Sequence, residues 1–292
     1  MTERRGCWMG TKILGISAGR SDGNTDYLVK EALRAAQACT GCETSFVNIS
    51  EMKIQGCIAC HLCFGHEKGW GIRDSVCYAH NDDLEPLARS LMAADGVILG
   101  SPVYVFGIPS KLRAVMERTS AFTANSMNEA AGRLMYKPLG AIVVAAGRRA
   151  GQDSAASEIF HWALCMGMAI VPAFPTGNGL PAASIHCGSA DCVEARWYLG
   201  KDAVRKESSL MPLPLGAITA LKSCQNLGRG VASYAALLKA GLEALGGDGL
   251  EPPRTARFRS FPGAVKKGSY VEHLVQEGLV TLKAGRRDGE GA

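Results

Sequence analysis

Four cysteines are spaced as metal ligands are: Cys57-x2-Cys60-x2-Cys63, then Cys77 after thirteen intervening residues. Thiolates are soft donors, and several on one short segment hold an iron–sulfur cluster or a zinc ion. A chain of 292 residues buries an ample core without either. The spacing therefore points to chemistry rather than to a staple. His61, His66 and His80 lie close enough in sequence to complete a zinc site, and plain free thiols are the third reading.

Three further segments carry groups that meet a ligand. Ser17-Ala18-Gly19-Arg20-Ser21-Asp22-Gly23-Asn24-Thr25 offers hydroxyls, peptide N–H groups and one arginine ahead of a helix, the set a phosphate monoester requires. It is neither a P-loop nor a G-x-G-x-x-G turn, so an ordinary βα turn stays open beside the phosphate reading. Ser101-Pro102-Val103-Tyr104-Val105-Phe106-Gly107 is apolar and aromatic where a loop should be exposed. It is either a loop packed over a helix or a wall for a flat ring. Ala145-Ala146-Gly147-Arg148-Arg149-Ala150-Gly151 follows a long apolar run; its glycines permit close backbone approach. Its arginines would face a phosphate, an anionic flavin or solvent.

The elements that must position these segments alternate. Strands are predicted at Lys12–Ser17, Thr44–Ile49, Gly96–Gly100, Leu139–Ala145 and around Ala169–Pro172, as short apolar runs bounded by turn residues. Helical spacing is predicted over Thr25–Ala38, with Asn24 or Thr25 as cap, and over Asp83–Ala93, Lys111–Thr119, Asp153–Met166 and Ala217–Leu245. Strands alternating with helices imply a doubly wound parallel sheet, whose ligands sit at the strands' carboxyl ends. The cysteine-rich segment, 54–81, interrupts this rhythm. Gly246–Gly249 reads as a linker to a basic extension, 246–292, with Tyr270–Lys283 as a short helix.

Composition is that of a globular protein, 47% hydrophobic and 20% charged. The net charge of +5 is concentrated near the C-terminus, where a solvated tail accounts for it, so neither nucleic acid nor membrane is expected as a partner. No apolar run is long enough to span a bilayer, and Met1–Gly10 lacks a signal-peptide core. The expected location is cytoplasmic, which keeps most of the eleven cysteines reduced. Cys39-x2-Cys42 falls at a helix-to-strand turn and reads as a turn feature.

Over roughly Lys12 to Ala232 the chain resembles the NADPH-dependent FMN reductase family of flavodoxin-like proteins, and within it the iron–sulfur flavoprotein branch. The resemblance rests on GISAGRSDGNTDYLVKEAL, ADGVILGSPVYVFGIPSKLRAVMERT, AAGRRAGQDSA and QNLGRGVA. It implies a five-stranded sheet in the order 2-1-3-4-5 within an FMN-binding domain, 11–245. It implies Ser17, Arg20, Asn24 and Thr25 as ligands of the FMN phosphate. Pro102, Val103, Tyr104, Phe106 and Gly107 would line the isoalloxazine ring, with Ala145, Gly147 and Gly151 closing the far side. The family's usual glycine or serine in the first loop is Ala18 here, and Gly19 stands where proline is common.

The branch carries a compact C-x2-C-x2-C run with a fourth cysteine a few residues on; here an apparent insertion around His66–Asp74 delays it. Lengthening a loop this far costs well under ~1 kcal/mol. Four thiolates favour a [4Fe–4S] cluster over zinc, with Cys57, Cys60, Cys63 and Cys77 as ligands. The resulting expectation is a flavin-dependent oxidoreductase moving electrons between ferredoxin or NAD(P)H, the cluster, FMN and a small acceptor. The resemblance also implies a homodimer or homotetramer. Two alternatives stand beside it: a cluster-free NAD(P)H-dependent FMN or quinone reductase, and a zinc-containing, non-enzymatic binding module. Substrate-facing residues are expected within Phe122–Tyr136 and Pro175–Trp197.

Overall fold

The computed structural model describes residues 10–60, 63, 76–77, 79–123, 132–145, 150–172, 185–186 and 215–244. The extension 246–292, the Tyr270–Lys283 helix, His61, His66, Gly147, Arg148 and Arg149 lie outside the described residues.

Strand β1 (Lys12–Ser17) pairs with β2 (Glu43–Asn48) on one side and β3 (Gly96–Pro102) on the other. Next to β3 lies β4 (Pro138–Val144), and β5 (Ala169–Ile170) follows at the far edge. Every pair is parallel and the order is 2-1-3-4-5, as expected. A two-residue strand, β6 (Ile185–His186), was not foreseen. It continues the β4 edge beyond β5, pairing Ile142 and Val143. Two residues carry no periodicity by which a sequence could reveal them.

The helices are α1 (Asn24–Thr40), α2 (Leu84–Ala93), α3 (Ser110–Arg118), α4 (Gln152–Cys165) and α5 (Leu215–Ala244). Side chains alternate across the sheet as a pleated strand requires. Ile13, Ile98, Ile142 and Val144 face α1 and α5, burying Leu28, Val29, Leu33, Leu227 and Val231. Leu14, Ile16, Val97, Leu99, Leu139 and Val143 face the opposite layer, where α2, α3 and α4 contribute Leu87, Leu91, Leu112, Val115, Ile159 and Trp162. The runs on β1, β3 and β4 are buried on both faces, which is why they read as unbroken apolar stretches.

Three differences from expectation bear on the site. Helix α1 is capped by Gly23 rather than Asn24 or Thr25, because the turn closes there: Gly23 N–H donates to Arg20 O at 3.0 Å, and Gly23 O accepts from Tyr27 N–H at 3.0 Å. Strand β3 runs on through Ser101 and Pro102, which keep register with Val143 and Val144. Phe122 and Leu134 are fully buried, so this part of the segment expected to face substrate belongs to the core.

Candidate functional site: three loops and a cysteine segment

The carboxyl ends of β1, β3 and β4 lie side by side, with Ser17 opposite Gly100 and Pro102 opposite Val144. The first loop is held from beneath. Ala18 N–H donates to Gly100 O at 2.8 Å, tying it to β3. Ser17, fully buried, donates its hydroxyl proton to the buried carboxylate of Asp26 and accepts from Gly19 N–H at 3.2 Å. Asp26 also accepts from Asp22 N–H at 3.0 Å and from Asn48 Nδ2, which reaches Gly19 O as well. Ser17 thus spends its proton on Asp26 and acts as a brace. Arg20 is exposed at the rim, Asn24 is half-buried, and Thr25 is buried beneath Gly19. A side chain at Gly19 would come within 2.7 Å of Thr25 Cβ, so the small residue keeps this cradle clear. No side chain caps the first turn of α1. Its peptide N–H groups and dipole are those an anionic oxygen complements.

The second loop forms a wall with an upright tip. Tyr104 N–H donates to Gly107 O at 2.9 Å and Gly107 N–H returns to Tyr104 O at 3.1 Å. Between them Val105 and Phe106 both have positive φ, 49° and 62°. This type I′ geometry is usually the province of Asn-Gly, and a β-branched residue in it is strained. Tyr104, Val105 and Phe106 are nonetheless 55%, 97% and 66% exposed. Val103 is bonded to β4 through Val144 O, while Pro102 and Val103 are half-buried.

The third loop leans on this tip. Gly151 has φ +96°, and a Cβ there would lie 2.4 Å from Phe106 Cα. Ala145 is buried at the end of β4. The structure therefore brings Ser17, Arg20, Asn24, Thr25, Pro102, Val103, Tyr104, Phe106, Gly107, Ala145 and Gly151 to one end of the sheet. Cradle, apolar wall and a close-approach glycine fit a phosphate joined to a flat ring.

The cysteine segment is tethered to α3. Lys111 Nζ donates to Ser50 O and Met52 O, each at 2.7 Å. Arg118, at the other end of the helix, is buried and donates to Gln55 O at 3.1 Å, to Cys77 Sγ at 3.3 Å and to both oxygens of Asp82. Asp82 in turn accepts from Gln55 N–H at 2.9 Å. Burial alone would raise the Asp82 pKa. Hydrogen bonds from Arg118 and from the Gln55 and Leu84 backbone, with Arg118's charge, hold it below the ordinary carboxylate value. His80 contacts Gly56 O at 3.0 Å, which occupies one ring nitrogen with structure.

Cys57 and Cys60 are exposed, and Cys63 and Cys77 are half-buried. Burial pushes the Cys63 thiol up, and the charges of Cys77, Cys57 and Cys60 add to it. The other three sulfurs thus lie within electrostatic reach of Cys63. As a donor set, four thiols fit an iron–sulfur cluster. Among the described residues no three metal-binding side chains converge on one point. Cys39 and Cys42 flank Gly41, which ends α1 in the left-handed conformation, so the second C-x2-C pair is a turn.

Asp26, Asn48, Lys111, Asp82 and Arg118 were not singled out in the sequence. Charged residues on amphipathic helices read as solvated, and only Asn48, polar at the end of a half-apolar strand, carried any signal.

A parallel 2-1-3-4-5 sheet, whose strand order reverses between β1 and β3, defines a flavodoxin-like α/β protein. Residues 11–179 match the NADPH-dependent FMN reductase family, and the chain belongs to that family. An iron–sulfur flavoprotein of Methanocaldococcus jannaschii is 30% identical over 229 residues, 78% of this chain and 99% of its own. One of Methanosarcina thermophila is 30% identical over 161 residues, 55% of this chain and 76% of its own. A solved flavone reductase shares the fold at TM-score 0.52 and 16% identity, over 78% of this chain and 64% of that one. The protein is thus a flavin-dependent oxidoreductase of the iron–sulfur flavoprotein branch, with FMN as its flavin. This membership sets aside the non-enzymatic zinc module. No helix among the described residues is long and apolar enough to cross a membrane.

Proposed function

We propose that this chain is an electron-transfer flavoprotein, with FMN across the ends of β1, β3 and β4 and a [4Fe–4S] cluster on Cys57, Cys60, Cys63 and Cys77. The carrying observation is that α3 joins the two places: it begins just beyond the Tyr104–Gly107 wall, its Lys111 holds Ser50 and Met52 ahead of the cysteine segment, and its Arg118 holds Gln55 and Cys77 within it. Bound FMN takes up a hydride or two single electrons and a cluster carries one, so the pair joins two-electron and one-electron partners.

The residues supply the setting. Arg20, Asn24, Thr25 and the first turn of α1 hold the phosphate, while Ser17 and Asp26 shape the loop that presents them. Pro102, Val103, Tyr104, Phe106 and Gly107 exclude water from one ring face, and Ala145, Gly147 and Gly151 close the far edge. The donor is ferredoxin or NAD(P)H, the acceptor is a small molecule, and the assembly is a homodimer or homotetramer, as the iron–sulfur flavoprotein resemblance implies.

Anaerobic iron and acid-labile sulfide analysis of wild type beside Cys77→Ala tests the reading. Wild type should carry about four iron per chain beside one FMN; the variant should keep FMN and lose most of the iron. Iron unchanged in Cys77→Ala removes that residue from the ligand set. The second reading, a cluster-free NAD(P)H-dependent reductase, draws on the exposure of Cys57 and Cys60. Rapid bleaching of the flavin by NADPH in iron-free protein would favour it.

A further inference from the structure

We propose that Arg118 is a positioning residue for the metal centre: its guanidinium holds the sulfur of Cys77 and, balanced by Asp82, sets the reduction potential of whatever that sulfur ligates. The inference deepens the cluster reading above and rests on it. Arg118 is the last residue of α3 and is 2% exposed. A buried guanidinium has five N–H groups to satisfy, and this one meets the cysteine segment at two places and Asp82 just beyond it. Nη1 donates to Gln55 O at 3.1 Å, two residues before Cys57. Nε donates to Cys77 Sγ at 3.3 Å, at the far end of the long insertion. Both Nη atoms engage Asp82, whose Oδ2 also accepts from Gln55 N–H at 2.9 Å. The start and end of the segment are thereby fixed to one planar group on a packed helix.

The geometry answers a difficulty that the spacing poses. Thirteen residues separate Cys63 from Cys77, so sequence proximity alone does not bring the fourth sulfur back. Arg118 supplies the missing constraint from another element. Lysine could supply the charge but not the fork. Electrostatically, a cationic donor against a ligand sulfur stabilises the more negative, reduced state. The carboxylate of Asp82 offsets that effect in part, so the two members of the pair act on the potential with opposite signs.

The test uses full-length protein purified without oxygen, as wild type, Arg118→Met, Arg118→Lys, Asp82→Asn and the double variant Arg118→Met/Asp82→Asn. Iron and sulfide are counted, and cluster and flavin midpoints are read separately by potentiometric titration with paramagnetic resonance and absorbance. Arg118→Met should shift the cluster's redox equilibrium about tenfold toward the oxidised form, about 59 mV for a one-electron couple. Asp82→Asn should shift it the other way, Arg118→Lys should recover part of the loss, and the flavin midpoint should stay in place. A single variant can leave an unpaired buried charge and fail to fold. The neutral double variant then decides, since loss of the N–H···S bond must still lower the potential. Iron present in wild type with unmoved variant potentials, or single variants moving in one direction, overturns the role of Arg118 alone. Iron absent from wild type overturns the cluster reading and this inference together, and it is seen before any variant is made.

Discussion

At the scale of single residues, side-chain type announces chemistry but not burial. Cys57, Cys60, Cys63 and Cys77 stand out as candidate ligands because thiols at such spacing have few other uses. Asp26 and Arg118 were not, because a carboxylate or guanidinium on a helix ordinarily faces water. Partners that the helical pattern does not reveal take them inside: Ser17 and Asn48 for one, Asp82 and Cys77 for the other. Gly151 is a case where one missing carbon decides packing. Its φ of +96° and its 2.4 Å approach to Phe106 Cα leave no room for a methyl group. Gly151→Ala should therefore displace the tip of the second loop and weaken FMN binding about tenfold, which is about 1.4 kcal/mol. Fluorescence titration of flavin-stripped protein measures it, and unchanged affinity would show that the tip can shift without cost.

At the scale of elements, strand and helix bounds were legible to within two residues or so, because two-sided burial writes continuous apolar runs and capping turns punctuate them. The tip of the second loop was legible only as an apolar stretch; its strained turn comes from pairing between Tyr104 and Gly107. Converting Val105-Phe106 to Asn-Gly should relieve positive-φ strain, adding about 1 kcal/mol of stability or more. It should also weaken flavin binding by removing the wall, so melting temperature and affinity are expected to move oppositely. Helix α2 offers a second case. Lys137 Nζ donates to Leu91 O and Met92 O at its C-terminal end. Burial lowers the Lys137 pKa from 10.5 to about 8, with Asp95 opposing and Arg133 assisting. Between those values the unfolded chain holds a proton that the folded chain has released, so folding gains stability as pH rises. The difference in unfolding free energy between wild type and Lys137→Met should therefore grow across that window by up to about 1.4 kcal/mol per pH unit. Denaturant titrations at several pH values read it, and a flat difference would mean the amine titrates normally.

At the scale of the whole molecule, the architecture was legible from the alternation of βα units and the last helix from its periodicity, while which helix it packs against was not. Helix α5 comes from the chain beyond the expected sheet, yet it covers the same face as α1 through a contact that depends on Gly228. A Cβ at that position would stand 2.0 Å from Ala32 O. Backbone cannot yield as a side-chain end can, so Gly228→Val should cost about 1–3 kcal/mol or more. Chemical unfolding measures the loss, and a variant as stable as wild type would show that the two helices can part and repack. The order of the strands fixes where ligands enter, but which atoms greet them depends on packing that no local pattern records.

The scaffold of Ser17, Asp26 and Asn48 beneath the first loop is built from the chain's own groups. On the proposed reading, such a scaffold would keep the berth shaped when the coenzyme is stripped, and flavin-stripped protein should reload without refolding the loop. Riboflavin, which ends in a bare hydroxyl, would collect little from the helix dipole and Arg20. On the proposed reading, the phosphorylated form should bind the more tightly of the two.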